Sequence, residues 1–89
     1  MSSKINWVLQ IDYSVYKFCA KVPKTDARRI FEAIKKIPTN PFFGDIQKMK
    51  GEENSWRKRV GNYRIFYEII SKENIIYVYE AKRRTSSTY

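Results

Sequence analysis

The chain contains no histidine, and its only cysteine is Cys19. Without histidine, neither an imidazole-based ribonuclease nor a Ser-His triad can be assembled from these residues. One thiol and no imidazole also exclude the usual zinc ligand sets, and no internal disulfide is possible. Glycine is equally scarce: Gly44, Gly51 and Gly61 stand alone, so no phosphate-cradling glycine loop exists. The nine acidic residues are scattered, without the pairing expected of a glycosidase or a two-metal nuclease. No apolar run is long enough to span a bilayer, and the opening MSSKINWVLQ does not have the form of a signal peptide. A cytoplasmic protein with no membrane, metal or cofactor requirement is the expectation, and a lone cysteine fits a reducing compartment. Cys19 itself lies in an apolar stripe and reads as a small core residue.

What the chain does have is positive charge and aromatic rings. Eighteen Lys and Arg against nine Asp and Glu leave a formal net charge of +9 on 89 residues. Such a field attracts polyanions, among them RNA, DNA, anionic lipid and acidic proteins. With 43% apolar and 16% aromatic residues, the composition supports one folded domain over residues 1–89.

The pattern of apolar residues gives the order of elements. Ile5, Trp7 and Leu9 alternate with polar neighbours, predicting a strand over Lys4 to Gln10. Val15, Phe18, Cys19 and Val22 follow helical spacing, with Asp12 or Ser14 as cap and Pro23 as terminator. A second helix carries the stripe Ala27, Ile30, Phe31, Ile34 and Ile37, with Thr25 or Asp26 as cap, Lys35 and Lys36 in its last turn, and Pro38 closing it. Thr39 to Asp45 is a loop whose Phe42 and Phe43 either fold back on the core or offer a contact surface. Ile46–Met49 is a brief strand, and Trp56–Val60, Tyr63–Ile70 and Ile75–Ala81 are longer ones, rich in β-branched and aromatic residues. Residues 82–89 read as a basic tail. The class is α+β, with an N-terminal strand and a helical pair packed on a mainly antiparallel twisted sheet.

The dipeptide Gly61-Asn62 suits a two-residue hairpin loop. With that loop, Val60 faces Tyr63, Arg59 faces Arg64 and Arg57 faces Phe66. Arg57, Arg59, Arg64 and Phe66 then share one face, while Val60, Ile65, Tyr67 and Ile69 share the other. Lys58 falls on the apolar side, its stem along the core edge and its ammonium in water. Directly opposed arginines repel by about 0.2–1 kcal/mol; a phosphate between them turns the arrangement favourable, the alternatives being that both are solvated or that Glu68 or Glu80 neutralises them. With histidine and metals excluded, Arg, Lys and Tyr remain, a set that can cleave RNA through its own 2′-hydroxyl while cations stabilise the charge building on phosphorus.

The stretch from Trp56 to Ile69, WRKRVGNYRIFYEI, resembles the core hairpin of the RelE/ParE toxin superfamily. The closing segment Ala81-Lys82-Arg83-Arg84, with Tyr89 six residues beyond Arg83, resembles the RelE branch in particular. The resemblance covers nearly the whole chain. It implies a type II toxin that cleaves messenger RNA in the ribosomal A site without metal, silenced by a RelB-like antitoxin. It also implies roles: Arg57 and Arg59 beside the scissile phosphate, Arg64 as a phosphate-binding arginine, Arg83 stabilising the transition state, and Tyr89 stacking on the RNA. Lys48 and Lys50 become peripheral backbone contacts, and Lys58 and Arg84 further RNA contacts. Where the family often has lysines, this chain has Arg57 and Arg59, which stay protonated. The resemblance thus leaves Lys58, Tyr89 or a group of ribosomal RNA to take the nucleophile's proton. Two other functions fit the same residues: a ParE-like inhibitor of DNA gyrase without catalysis, and a non-catalytic RNA-binding module.

Overall fold

The computed structural model describes residues 6–84 except 43 and 52. Its strands are β1 (Val8–Ile11), β2 (Ile46–Lys48), β3 (Ser55–Val60), β4 (Tyr63–Ile70) and β5 (Ile75–Arg83), and its helices α1 (Tyr13–Cys19) and α2 (Lys24–Lys36). The strands form one sheet in the order β1-β5-β4-β3-β2. β1 runs parallel to β5, and every other pairing is antiparallel. α1 packs on β5, and α2 packs across β3 and β4. This is the α+β layering expected of the chain.

Local chemistry explains most element ends. The Asp12 carboxylate accepts from the Ser14 N–H at 3.0 Å and so caps α1. That bond to Ser14 is also what holds the Asp12 carboxyl below the usual carboxylate range, with help from Tyr77. α1 stops at Cys19, short of the expected Val22. α2 begins one residue after Pro23 with no side-chain cap, so neither Thr25 nor Asp26 plays that part. Asp26 is otherwise engaged: it accepts a 2.6 Å hydrogen bond from the Tyr63 hydroxyl, tying the first turn of α2 to the start of β4. The bond to Asp26 raises the Tyr63 phenol above its ordinary range. The first strand begins at Val8; the expected positions Lys4 and Ile5 lie outside the described residues, as does Phe43.

The core lies between the helices and one face of the sheet. Val15 and Cys19 from α1 and Ile30 and Ile34 from α2 meet Val60, Tyr63, Ile65, Tyr67, Ile69, Ile76, Val78 and Ala81 from the sheet. Burial raises the Cys19 thiol, in keeping with a packing role. Phe42, 56% exposed, lies edge-on to Trp56 with ring centroids 5.6 Å apart.

Gly61 takes a φ of 58°, supplying the left-handed conformation that a two-residue hairpin needs at its first position. The β3–β4 register follows: Val60 pairs with Tyr63, Arg59 with Arg64, Lys58 with Ile65 and Arg57 with Phe66. The β4–β5 ladder contains a bulge. Phe66 pairs with Glu80 but Tyr67 pairs with Val78, leaving Tyr79 as the extra residue. β5 also runs two residues past the expected end at Ala81.

Tyr67 gives the core a pH limit. Its ring is 1% exposed, its hydroxyl donates to the Pro41 carbonyl at 3.1 Å, and burial pushes its pKa up to about 12. An unfolded tyrosine ionises near pH ~10. The native phenol keeps its proton longer than the unfolded one, so its contribution is intact below about pH 10 and is lost as pH rises toward 12, by about 2–3 kcal/mol in all. Denaturant titrations from neutral to alkaline pH are expected to show wild type losing stability faster than Tyr67→Phe. Parallel curves for the two proteins would contradict this assignment.

Candidate functional site

The outer face of the sheet, away from the helices, carries the charge. Across β3, β4 and β5 the pairings line up Arg59, Arg64 and Lys82 as neighbours in one row. The adjacent row reads Gln47, Arg57, Phe66 and Glu80. Strands lie about 4.8 Å apart, so the cations of the first row stand at nearest-neighbour distance with no intervening residue.

A cleft of about 210 Å³ opens between β2 and β4, lined by Asp45, Ile46, Gln47, Arg57, Arg59 and Arg64. Its polar contacts orient the arginines. Arg59 Nε donates to Asp45 Oδ2 at 2.8 Å, and Arg57 Nη2 donates to Gln47 Oε1 at 2.7 Å. The Arg59–Asp45 pair is 53% and 61% exposed, so it contributes at most about 1 kcal/mol. It uses only the Nε edge, leaving the terminal amino groups of Arg59 as donors. No salt bridge to Arg57 or Arg64 occurs among the described residues. The walls therefore supply three guanidinium groups against a single carboxylate, an arrangement suited to a phosphate-sized anion.

Lys82 is the site residue that the sequence pattern hid. Alternation along β5 from Ile76 and Val78 would point Arg83 outward. The extra residue at Tyr79 resets the phase: Tyr79 and Glu80 both leave the core side, Ala81 returns to it, and Lys82 emerges beside Arg64. The Lys82 ammonium lies 5.6 Å over the Phe66 ring and 3.5 Å from the Glu80 carboxylate. The signal was present in the chain, since an unbroken alternation would bury Glu80 and expose Ala81.

The remaining candidates fall elsewhere. Arg83 pairs with Tyr63 and stacks on its ring at 5.2 Å, on the helix side of the sheet rather than with the arginine cluster. The bulge is the physical reason. Lys58 likewise faces the helices, in a groove shared with Arg29, Glu32 and Tyr67, and a β-carbon added at Gly44 would come within 2.7 Å of its Nζ. Lys48 and Lys50 line a second groove that borders Arg57 at the β2 edge. Arg84 is exposed, its backbone N–H donating to the Asn62 carbonyl at 2.7 Å. Tyr89 lies outside the described residues. No group of carboxylates or thiols among the described residues is arranged to hold a metal ion, and no described helix is long and apolar enough to cross a membrane.

Residues 7–85 match the family described as the ParE toxin of the type II toxin-antitoxin system parDE. RelE1 of Methanocaldococcus jannaschii is 28% identical over 79 residues, covering 85% of this chain and 88% of that protein. The archaeal RelE-RelB complex from Pyrococcus horikoshii contains a chain that superposes with a TM-score of 0.76 at 25% identity, over 92% of this chain and 99% of that one. The isolated RelE toxin of E. coli superposes with the same TM-score of 0.76 at 17% identity, over 91% of this chain and 87% of that one, which shows a shared fold.

Opposed cations give a test that needs no activity assay. Arg64 has Arg59 on one side and Lys82 on the other, and each like-charge pair costs about 0.2–1 kcal/mol. Replacing Arg64 by Gln is expected to leave the melting temperature in low salt unchanged or higher, and to shrink the rise that added sulfate produces in wild type. A marked loss of stability with an undiminished sulfate response would refute the anion cleft.

Proposed function

As the chain belongs to the RelE/ParE superfamily of type II toxin–antitoxin toxins, we propose that it is a metal-independent endoribonuclease that cuts messenger RNA on the ribosome and thereby stops translation. The observation that carries this reading is the row Arg59, Arg64 and Lys82, with Arg57 alongside, on one solvent-facing surface.

In this mechanism the scissile phosphate sits in the arginine cleft. The RNA 2′-oxygen attacks phosphorus, the bond to the 5′-oxygen breaks, and the products end in a cyclic phosphate and a 5′-hydroxyl. Negative charge grows on the non-bridging oxygens during attack, and fixed guanidinium donors stabilise it more than they stabilise the ground state. The proton from the 2′-hydroxyl needs an acceptor, which arginine cannot provide. Glu80 is on this face, 3.5 Å from Lys82. The pair offers a carboxylate to receive that proton and an ammonium to supply one to the departing 5′-oxygen. Arg83 and Tyr89 keep the roles assigned by resemblance, and Lys48, Lys50 and Arg84 would contact the RNA backbone. A RelB-like antitoxin is the proposed partner, as the P. horikoshii relative was solved as a RelE-RelB complex. A segment rich in acidic residues would complement the +9 charge of this chain.

A second reading, inhibition of DNA gyrase without catalysis, is favoured by the match to the ParE toxin family. Primer-extension mapping of transcripts after induced expression separates the two. Under the nuclease reading, Arg64→Ala and Lys82→Ala each reduce cutting by about 10²–10³, the usual effect of losing one donor to a developing oxyanion. Arg83→Ala is expected to cost less than Lys82→Ala, because the bulge turns Arg83 to the other face. Intact transcripts together with inhibited supercoiling would establish the gyrase reading instead.

A further inference from the structure

Next to the cations, the outer face carries aromatic rings that the cleavage chemistry does not use. Phe66, Tyr79 and Tyr77 form a continuous series, each ring centroid 6.3 Å from the next, with interplanar angles of 42° and 34°. Phe66 is almost covered, whereas Tyr77 and Tyr79 are half-buried and keep ring surface open to solvent. Both phenols are anchored. The Tyr77 hydroxyl donates to Asp12 at 2.8 Å, and the Tyr79 hydroxyl exchanges a 3.2 Å hydrogen bond with Ser55, two strands away. Tyr79 therefore reaches across the outer surface of β4 to β3. Anchoring at the hydroxyl fixes the ring, so that little side-chain entropy is lost when something stacks on it.

Tyr79 is also the bulged residue, and only the bulge gives this face both Tyr77 and Tyr79 together with Glu80 and Lys82 from one strand. Lys82 lies over Phe66, joining the aromatic series to the cationic row without a gap. Aromatic rings beside a basic track are what a single-stranded nucleic acid requires: bases stack while phosphates meet cations. An apolar protein segment would gain nothing from the adjoining uncompensated arginines.

We propose that Tyr79 and Tyr77, backed by Phe66, are a nucleobase-stacking platform that holds bases of a single-stranded RNA whose phosphates lie on the Arg59–Arg64–Lys82 row. This rests on the RNA-cleavage reading and extends it by naming where flanking bases bind. The platform makes the face selective for unpaired strands, because bases within a duplex cannot stack on a protein ring.

The test uses the full chain and a fluorescein-labelled single-stranded 2′-O-methyl oligoribonucleotide, which lacks the nucleophile and stays intact. A second strand of equal length carries abasic residues at its centre. Wild type is expected to bind the base-bearing strand about tenfold more tightly by fluorescence anisotropy. Tyr79→Leu is expected to abolish that preference without changing the dependence of binding on salt, which reports phosphate contacts. Tyr79→Phe, which keeps the ring, is expected to retain it. Equal binding of the two strands by wild type, no binding of either in low salt, or a preference surviving in Tyr79→Leu would overturn the proposal. If Tyr79→Leu fails to fold, the wild-type comparison of the two strands decides alone. Failure of the cleavage reading is separately visible, as intact messenger RNA alongside a persisting base preference.

Discussion

The arginine face depends on the register of the β3–β4 hairpin, and that register is held from the opposite side of the sheet. Ile65, Tyr67 and Ile69 point into the core from β4, while Arg64 and Glu68 alternate with them toward solvent. A slip of one residue would carry Arg64 inward and Ile65 outward. An unpaired guanidinium in the core costs several kcal/mol, whereas the repulsion between Arg59 and Arg64 costs about 0.2–1 kcal/mol. Core burial therefore wins, and the like-charge contact persists as a cost the fold carries. Gly61 makes this possible by closing the hairpin in the left-handed region.

The same comparison explains how much could be read from the residues. The hairpin was legible because its determinants are local: a Gly-Asn loop flanked by strands of clear period. The stripe of α2 was legible for a similar reason, each apolar residue being within a turn of the next. The caps were less so. Asp26 has the chemistry of an N-cap, but its carboxylate is taken by Tyr63, 37 residues away, and no local pattern reports such a partner.

The last strand was the least legible part of the site. The resemblance to the RelE branch pointed to Arg83, in a segment the apolar pattern reads as a tail beyond the strand. A single added residue at Tyr79 reverses the facing of everything beyond it, so that Lys82 joins Arg64 and Arg83 stacks on Tyr63. Bulges are decided by the partner strand as much as by the bulged one. The exchange of Glu80 and Ala81 between polar and buried positions was the one trace it left in the sequence.

The position of β5 in the sheet has a bearing on biosynthesis. β5 is an interior strand with β1 on one side and β4 on the other, and Val8 pairs with Ile75, 67 positions later (75 − 8). Such long-range pairing closes late, after the loop entropy between its ends has been overcome. In N-to-C order the helices and the arginine hairpin precede β5, the strand against which α1 and β4 pack. Vectorial synthesis thus makes Tyr77, Tyr79 and Lys82 only after the arginine hairpin, and a fragment released before residue 75 would lack the strand that completes the basic surface.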